Sequence, residues 1–259
     1  AGVGGNKALI DVLGDLSLTT DLKLCLDAGD SSSYSSGQSW LDRSGGGYDF
    51  HFGASGSSAT DDPTFNGSAG GLSNAEYMST DGGDFFEYDQ TTPETWMNNM
   101  HKNNAIVAVC VWVYFPSFTG ENRVWSTNGG SVASRPGTNF KSTSGGGGYI
   151  QLYVGNASSE SAVLSKISDD AISSGEWTFL AYSLNEGTGS GGGFFYKNGA
   201  YAQVSSSDTW NSTYSSPYSS DITGDPSIMG DSRNTGTLAR MDSGGRIAME
   251  AIWEGGTQI

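Results

Sequence analysis

The chain has 259 residues, 39 of them glycine, with 12% aromatic and only 15% charged residues, the composition of many short strands joined by turns. Its 28 acidic residues against 12 basic ones leave a formal net charge of −16, a surface that repels phosphate and argues against nucleic acid or anionic membrane as partners. No stretch approaches the ~18 consecutive apolar residues of a membrane helix, and the length suits one large β-sandwich or two small domains.

Residues 1–20 stand apart from the rest. The chain opens on Ala1-Gly2-Val3 with no initiator methionine, so a targeting segment ahead of it is left open. Asn6 to Leu18 carries apolar residues at positions 9, 10, 12, 13, 16 and 18, which fits either a short helix or an arm that packs on a neighbouring molecule. Leu22 to Asp27 then alternates with period two and ends at Ala28-Gly29-Asp30, a strand running into a turn. Turn-rich Trp40 to Tyr48 leads into Asp49 to Gly53 (DFHFG), and Glu76 to Thr80 followed by Asp81 to Tyr88 forms a second strand-like unit. Ala105 to Phe115 (AIVAVCVWVYF) is rich in β-branched and aromatic residues and reads as a central strand covered on both faces. Cys25 and Cys110 lie within such strands, either as a disulfide between neighbours or as two buried thiols.

Glu176 to Val204 contains Gly187-x-Gly189-x-x-Gly192, the spacing of a dinucleotide fingerprint. That motif holds a pyrophosphate only where a helix follows the glycines. Here Phe194-Phe195-Tyr196 follows, and then Asn198-Gly199, a tight-turn signal. The stretch is therefore expected to run strand, glycine turn, strand, Asn-Gly turn, strand, with Trp177 and Phe179 on one face and Thr178, Leu180 and Tyr182 on the other.

Taken in order, eight segments carry a resemblance: Leu24-x-Leu26-Asp27-Ala28-Gly29-Asp30, SWLDRSGGG from Ser39, YMSTDGGDFFEY from Tyr77, AIVAVCVWVYFPS from Ala105, GEWTFLAYSL from Gly175, FFYKNGA from Phe194, SIMGDSRNTGTL from Ser227, and GGRIAMEAIWEGG from Gly244. The set resembles the concanavalin A-like, laminin-G-like jelly rolls of bacteriophage virion proteins and bacterial adhesins, over residues ~20 to 259. The resemblance implies an all-β, two-sheet antiparallel jelly-roll sandwich at residues 21–259 behind an arm at residues 1–20. It further implies a non-enzymatic virion structural protein, a capsid decoration, fibre or spike component on the virion surface. Residues 1–20 would then hold it to other virion proteins or to copies of itself, and cell-surface glycans are a further partner. A secreted, extracellular, calcium-assisted lectin or adhesin is the alternative, and a polysaccharide-active enzyme has the least support. Glu250 departs from the pattern, standing where it would place an aliphatic residue.

For catalysis, sandwich glycosidases of this class need carboxylates flanking one bond, about 5 Å apart in retaining enzymes. The nearest approach is Glu87-Tyr88-Asp89, which lacks a second glutamate and reads as a solvated strand end. His51 is expected on the polar side of its strand and His101 in an Asn-rich loop, with no nucleophile elbow beside either. No catalytic residue is assigned. For calcium, which takes loop carboxylates and carbonyls, Asp81 and Asp84 are the candidates, with Asp27, Asp30, Asp42 and Asp231 as carboxylates that could converge on them. For carbohydrate, Trp210, Tyr214 and Tyr218, set four apart among serines, and Trp40 in a polar context are the candidate platforms; Trp96 and Trp125 share that loop-like setting.

Overall fold

Period-two alternation along the longer strands sets one face apolar, and in the computed structural model those faces meet as a two-layer sandwich. The structure describes residues 7–102, 104–127, 136–143, 148–155, 164–185, 193–202, 220–222, 224–230 and 240–256. Its strands are β1 (Leu22–Asp27), β2 (Ser39–Trp40), β3 (Phe50–Phe52), β4 (Thr64–Asn66), β5 (Tyr77–Ser79), β6 (Phe86–Tyr88), β7 (Ile106–Tyr114) and β8 (Arg123–Ser126). There follow β9 (Gly137–Ser142), β10 (Gly148–Gly155), β11 (Leu164–Ile172), β12 (Trp177–Asn185), β13 (Gly193–Lys197), β14 (Ala200–Ala202), β15 (Ser227–Ile228) and β16 (Arg246–Glu254). Two short helices accompany them, α1 (Leu9–Asp15) and α2 (Thr95–Asn99).

The first sheet runs β14-β13-β12-β7-β16-β5-β4 with β1 also paired to β16, and the second runs β11-β10-β9-β8-β15-β6-β3-β2. Val107, Val109, Val111 and Val113 of β7 face inward with Leu180, Tyr182 and Leu184 of β12 and Ile247 and Ile252 of β16. Against them the second sheet sets Phe50, Phe86, Trp125 and Phe140. Tyr182 and Phe140 bridge the layers with ring centroids 4.8 Å apart, and each such ring contributes roughly 2–3 kcal/mol through burial.

The Asn-Gly turn forms as expected. Asn198 and Gly199 both take positive φ, 51° and 80°, matching the primed turns that follow strand twist. The Asn198 amide donates to the Phe179 carbonyl at 2.8 Å, and its side-chain oxygen accepts from the Phe179 amide at 3.0 Å.

The apolar stripe of the N-terminal arm resolves into helix α1, and it packs on its own sheet. Leu13, with Leu9 and Ile10, lies over Leu22, Cys25, Ala108, Ala251 and Trp253 on the outward face of the first sheet. Two hydrogen bonds hold it there: the Trp253 indole donates to the Leu18 carbonyl at 2.7 Å and the Leu9 amide to Asp27 Oδ2 at 2.8 Å. Of the two alternatives read from the sequence the short helix is the one that forms; Leu13 is buried on the sheet, while Leu16 of the same stripe stays 60% exposed.

The cysteines are free. Cys25 and Cys110 both stand opposite Ala251, on either side of β16. Two strand spacings separate them by about 9–10 Å, beyond the ~7 Å that a disulfide spans.

Candidate functional site

The two outward faces of the sandwich differ in chemistry. On the second sheet, alternation turns His51, Glu87, Ser126, Asn139, Lys141 and Ser227 away from the core, yet all are at most 8% exposed. His51 sits between two carboxylates, its Nδ1 3.5 Å from Asp89 and its Nε2 3.9 Å from Glu87. Glu121 holds both Arg123, at 2.8 Å, and Lys141, at 2.6 Å, and the Ser126 hydroxyl bonds Asn139. Glu87 is therefore not the solvated strand end read from the sequence: its strand β6 pairs with β3 on one side and β15 on the other, and Glu87 is buried beside His51. His51 does face the polar side, as expected. His101 is buried, with Nε2 3.0 Å from the Ser220 carbonyl, and burial lowers its pKa to about 4.

On the first sheet the outward face is aromatic. Because Val occupies the odd positions of β7, Trp112 and Tyr114 point outward; Trp177 and Phe179 of β12 stand opposite Tyr114 and Trp112 in register. Tyr77 of β5 closes on Trp177 with centroids 5.6 Å apart, Tyr114 on Trp177 at 5.9 Å, and Trp112 on Phe179 at 6.1 Å. Arg246 of β16 lies within the row, its guanidinium carbon 4.4 Å from the Tyr114 ring centre and 4.9 Å from that of Tyr77. Nearer the β14 edge, Tyr201 meets Phe194 and Tyr196 at 6.0 and 6.1 Å. All these rings are partly exposed, and Tyr201 is 51% exposed. Helix α1 covers the same face over Leu22, Cys25, Ala108, Ala251 and Trp253, away from Trp112 and Tyr114, so β7 is not covered along both faces as the sequence suggested.

This arrangement is a platform of partly exposed Trp, Tyr and Phe rings that meet edge-on or tilted, with the Arg246 cation among them. Such rings offer an apolar face and a polar rim, the chemistry that stacks on the C–H faces of sugars while neighbouring donors take the hydroxyls. The sequence placed Trp177 and Phe179 together on one face of their strand without showing that this face is outward, and it read Trp112 as covered; the Val/aromatic alternation in β7 was the available signal.

The platform expected at Trp40 lies elsewhere. Trp40 is fully buried, its ring 5.0 Å from Phe86 in the core, so its polar flanks did not signal exposure. Trp96 and Trp125 are likewise interior, stacked at 5.9 Å and 18°. Trp210, Tyr214 and Tyr218 lie outside the described residues, as does Asp231.

Asp81 and Asp84 form a closed turn. The Asp81 amide donates to Asp84 Oδ2 at 2.8 Å, and Asp81 Oδ1 accepts from Gly83 N–H at 2.8 Å. Burial, reinforced by the neighbouring Asp81 carboxyl, pushes Asp84 up to about 6, against the Asp81 hydrogen bond and Arg240. Asp27, Asp30 and Asp42 are engaged within the chain: Asp27 accepts from the Gly29 amide, Asp30 from the Ser32 amide and the Arg43 guanidinium, Asp42 from the Cys25 and Ser44 amides. Among the described residues no three His, Cys, Asp or Glu side chains are grouped to hold a metal.

Neither protein-family models nor the sequences of curated proteins match the chain. Solved structures do. Domain 4 of AbnA, a GH43 extracellular arabinanase from Geobacillus stearothermophilus, solved in complex with arabinotriose, matches with a TM-score of 0.54 at 14% identity, over 91% of this chain and 93% of that one. The binding domain of botulinum neurotoxin serotype D matches at 0.56 and 13% identity, over 92% of this chain and 48% of that one. A botulinum neurotoxin DC binding domain in complex with rat synaptotagmin II matches at 0.55 and 11% identity, over 91% and 48%. The chain spans about half the length of the toxin binding domains. At these identities the likeness is one of fold: the chain is an all-β protein whose two antiparallel sheets form a β-sandwich.

Proposed function

We propose that this chain is a non-enzymatic, glycan-binding β-sandwich module. The observation that carries the proposal is the aromatic platform of Tyr77, Trp112, Tyr114, Trp177 and Phe179, held on one rigid sheet and left partly open. Support comes from the arabinotriose-bound domain, which shares the fold over nearly its whole length. Isothermal titration against a panel of neutral and acidic oligosaccharides tests it. Trp112→Ala and Trp177→Ala should each weaken binding about tenfold or more, as for aromatic anchors, with melting temperature little changed. Absence of binding to every oligosaccharide, or binding indifferent to both substitutions, would overturn it.

The sequence resemblance favours a place on a virion surface as decoration, fibre or spike; a secreted adhesin is the alternative. A virion component requires a defined assembly, so light scattering with and without residues 1–20 separates the two. A monomer in both cases favours the adhesin. Calcium belongs to that alternative, and titration with the ion and then with a chelator tests the Asp81–Asp84 turn.

A further inference from the structure

We infer that the aromatic platform selects a carboxylate-bearing glycan, a uronate or sialate chain, with Arg246 as the residue that reads the acid. The inference rests on the glycan-binding proposal and specifies its ligand class.

Charge is the starting point. In a chain with net charge −16, cations find carboxylates easily: Arg43 holds Asp30, Lys102 holds Asp221, and Arg123 and Lys141 share Glu121. Arg246 does not. Among the described residues it pairs with no acid; its contacts beyond the strand ladder are the rings of Tyr77 and Tyr114. Those two rings hold the guanidinium carbon at 4.9 and 4.4 Å, which fixes the cation by cation–π attraction and leaves its N–H donors unclaimed by any carboxylate. Guanidinium is weakly hydrated and binds carboxylate through two parallel hydrogen bonds, so a preplaced Arg is suited to an acidic sugar in a way that a mobile lysine is not.

Geometry places the sugar rings beside it. Tyr77, Arg246, Tyr114 and Trp177 stand on the neighbouring strands β5, β16, β7 and β12, and their side chains converge into one cluster, with the Trp177 ring 5.6 Å from Tyr77 and 5.9 Å from Tyr114. Trp112 and Phe179 form a second pair two residues along the same strands. A glycan seated on this cluster sets its acid on Arg246 and a neighbouring sugar face on an adjacent ring. The chain's remaining negative charge opposes dense polyanions, but at physiological salt that repulsion is screened beyond about 8 Å. Short or sparsely charged acidic glycans are therefore the expected ligands.

Titration calorimetry of the full chain with oligogalacturonate, oligoalginate and sialyllactose, each against its carboxyl methyl ester, tests the inference. The wild type should bind at least one acid about tenfold tighter than its ester. Arg246→Gln should abolish that preference and leave the weaker ester binding in place, while Arg246→Lys restores part of it; unchanged melting of both variants separates binding from folding. Equal affinity for acid and ester, or a preference that survives Arg246→Gln, overturns the inference while glycan binding itself stands. If no acid, ester or neutral oligosaccharide binds, both proposals fail, and an acidic protein surface becomes the occupant to test.

Discussion

Glu250 offers the sharpest test of the core. It sits on β16 opposite Leu26 and Val111, faces the sandwich interior and is fully buried, with neither carboxyl oxygen hydrogen-bonded. Burial raises its pKa well above the ordinary carboxylate value of 4.5, so the folded chain holds the acid neutral. The folded state then binds one more proton than the unfolded state. Its favourable contribution is complete below pH 4.5 and is lost as pH climbs toward the raised folded value, at about 1.4 kcal/mol per pH unit. His101 acts with the opposite sign: buried neutral, with its pKa lowered from 6.5 to about 4, its contribution is present above 6.5 and lost as pH falls to 4. The two slopes oppose each other below pH 6.5, so wild-type stability alone would look flat there. The difference between wild type and Glu250→Leu isolates the acid. Leucine joins two aliphatic neighbours and removes an unpartnered polar group, a gain of about 1–3 kcal/mol at acid pH. As pH rises from about 5 the gap should widen, by up to about 1.4 kcal/mol per pH unit. With a urea m-value of about 3 kcal/mol/M, the midpoint difference grows by up to about 0.5 M per pH unit. Urea unfolding of both proteins at half-unit pH steps measures it. A gap that stays constant would mean that Glu250 is ionised and compensated in the fold, and the reasoning fails.

His101→Gln should flatten the acid side of the same curves, removing a loss otherwise seen between pH 6.5 and 4; parallel curves for mutant and wild type would count against a buried neutral imidazole. Cys25 and Cys110 should both remain unalkylated by iodoacetamide in the native protein and both react after denaturation, since burial raises both thiols, Cys110 to about 12 with Glu250 adding to the effect. Intact mass showing a disulfide would contradict the register around Ala251. Leu13→Ala should cost about 2 kcal/mol, the low end for a buried leucine at the periphery, and lower the melting temperature by roughly 4–8 °C for a chain of this size. A variant that melts with the wild type would show that α1 does not hold to the sheet in solution.

What the sequence disclosed follows from strand length. In nine-residue β7 the alternation of valine with Trp112 and Tyr114 spans enough periods to assign both faces, and Asn198-Gly199 specifies a turn through local backbone preference alone. In two-residue β2 there is no period to read. Ser39 and Asp42 around Trp40 then suggested a loop, whereas Trp40 is buried and it is Leu41 that is 40% exposed. Trp125 misled for a different reason. Its neighbours Arg123 and Ser126 are polar because they belong to the outward face of the second sheet, but that face is itself enclosed, so polar flanks did not mean solvent. Glu250 was visible as an acid in an aliphatic position, but its isolation is a property of β1 and β7 packed on either side, and β1 pairs with β16 across nearly the whole chain. Sheet order of that kind is tertiary, beyond any local pattern.

The two outward faces invert the usual relation of polarity to exposure, and this bears on how strongly the chain can bind. The polar face uses its charges on one another, Glu121 on Arg123 and Lys141, which leaves the aromatic face as the accessible chemistry. Rings fixed on a sheet lose little entropy on binding, so a platform of this kind is preorganised. It is also shallow, however, and encloses a glycan on one side only; affinity per site is bounded by the area it can desolvate. Repetition lifts that bound, because linked copies engaging one glycan-coated surface gain about 10²–10⁴ in avidity without any new contact. A particle surface or an adhesin array supplies such copies, and a lone monomer does not. Weak binding by the single chain together with tight binding by a multivalent display of it is therefore the pattern expected of the proposed module, and equal affinity in both formats would point instead to an enclosed site elsewhere in the fold.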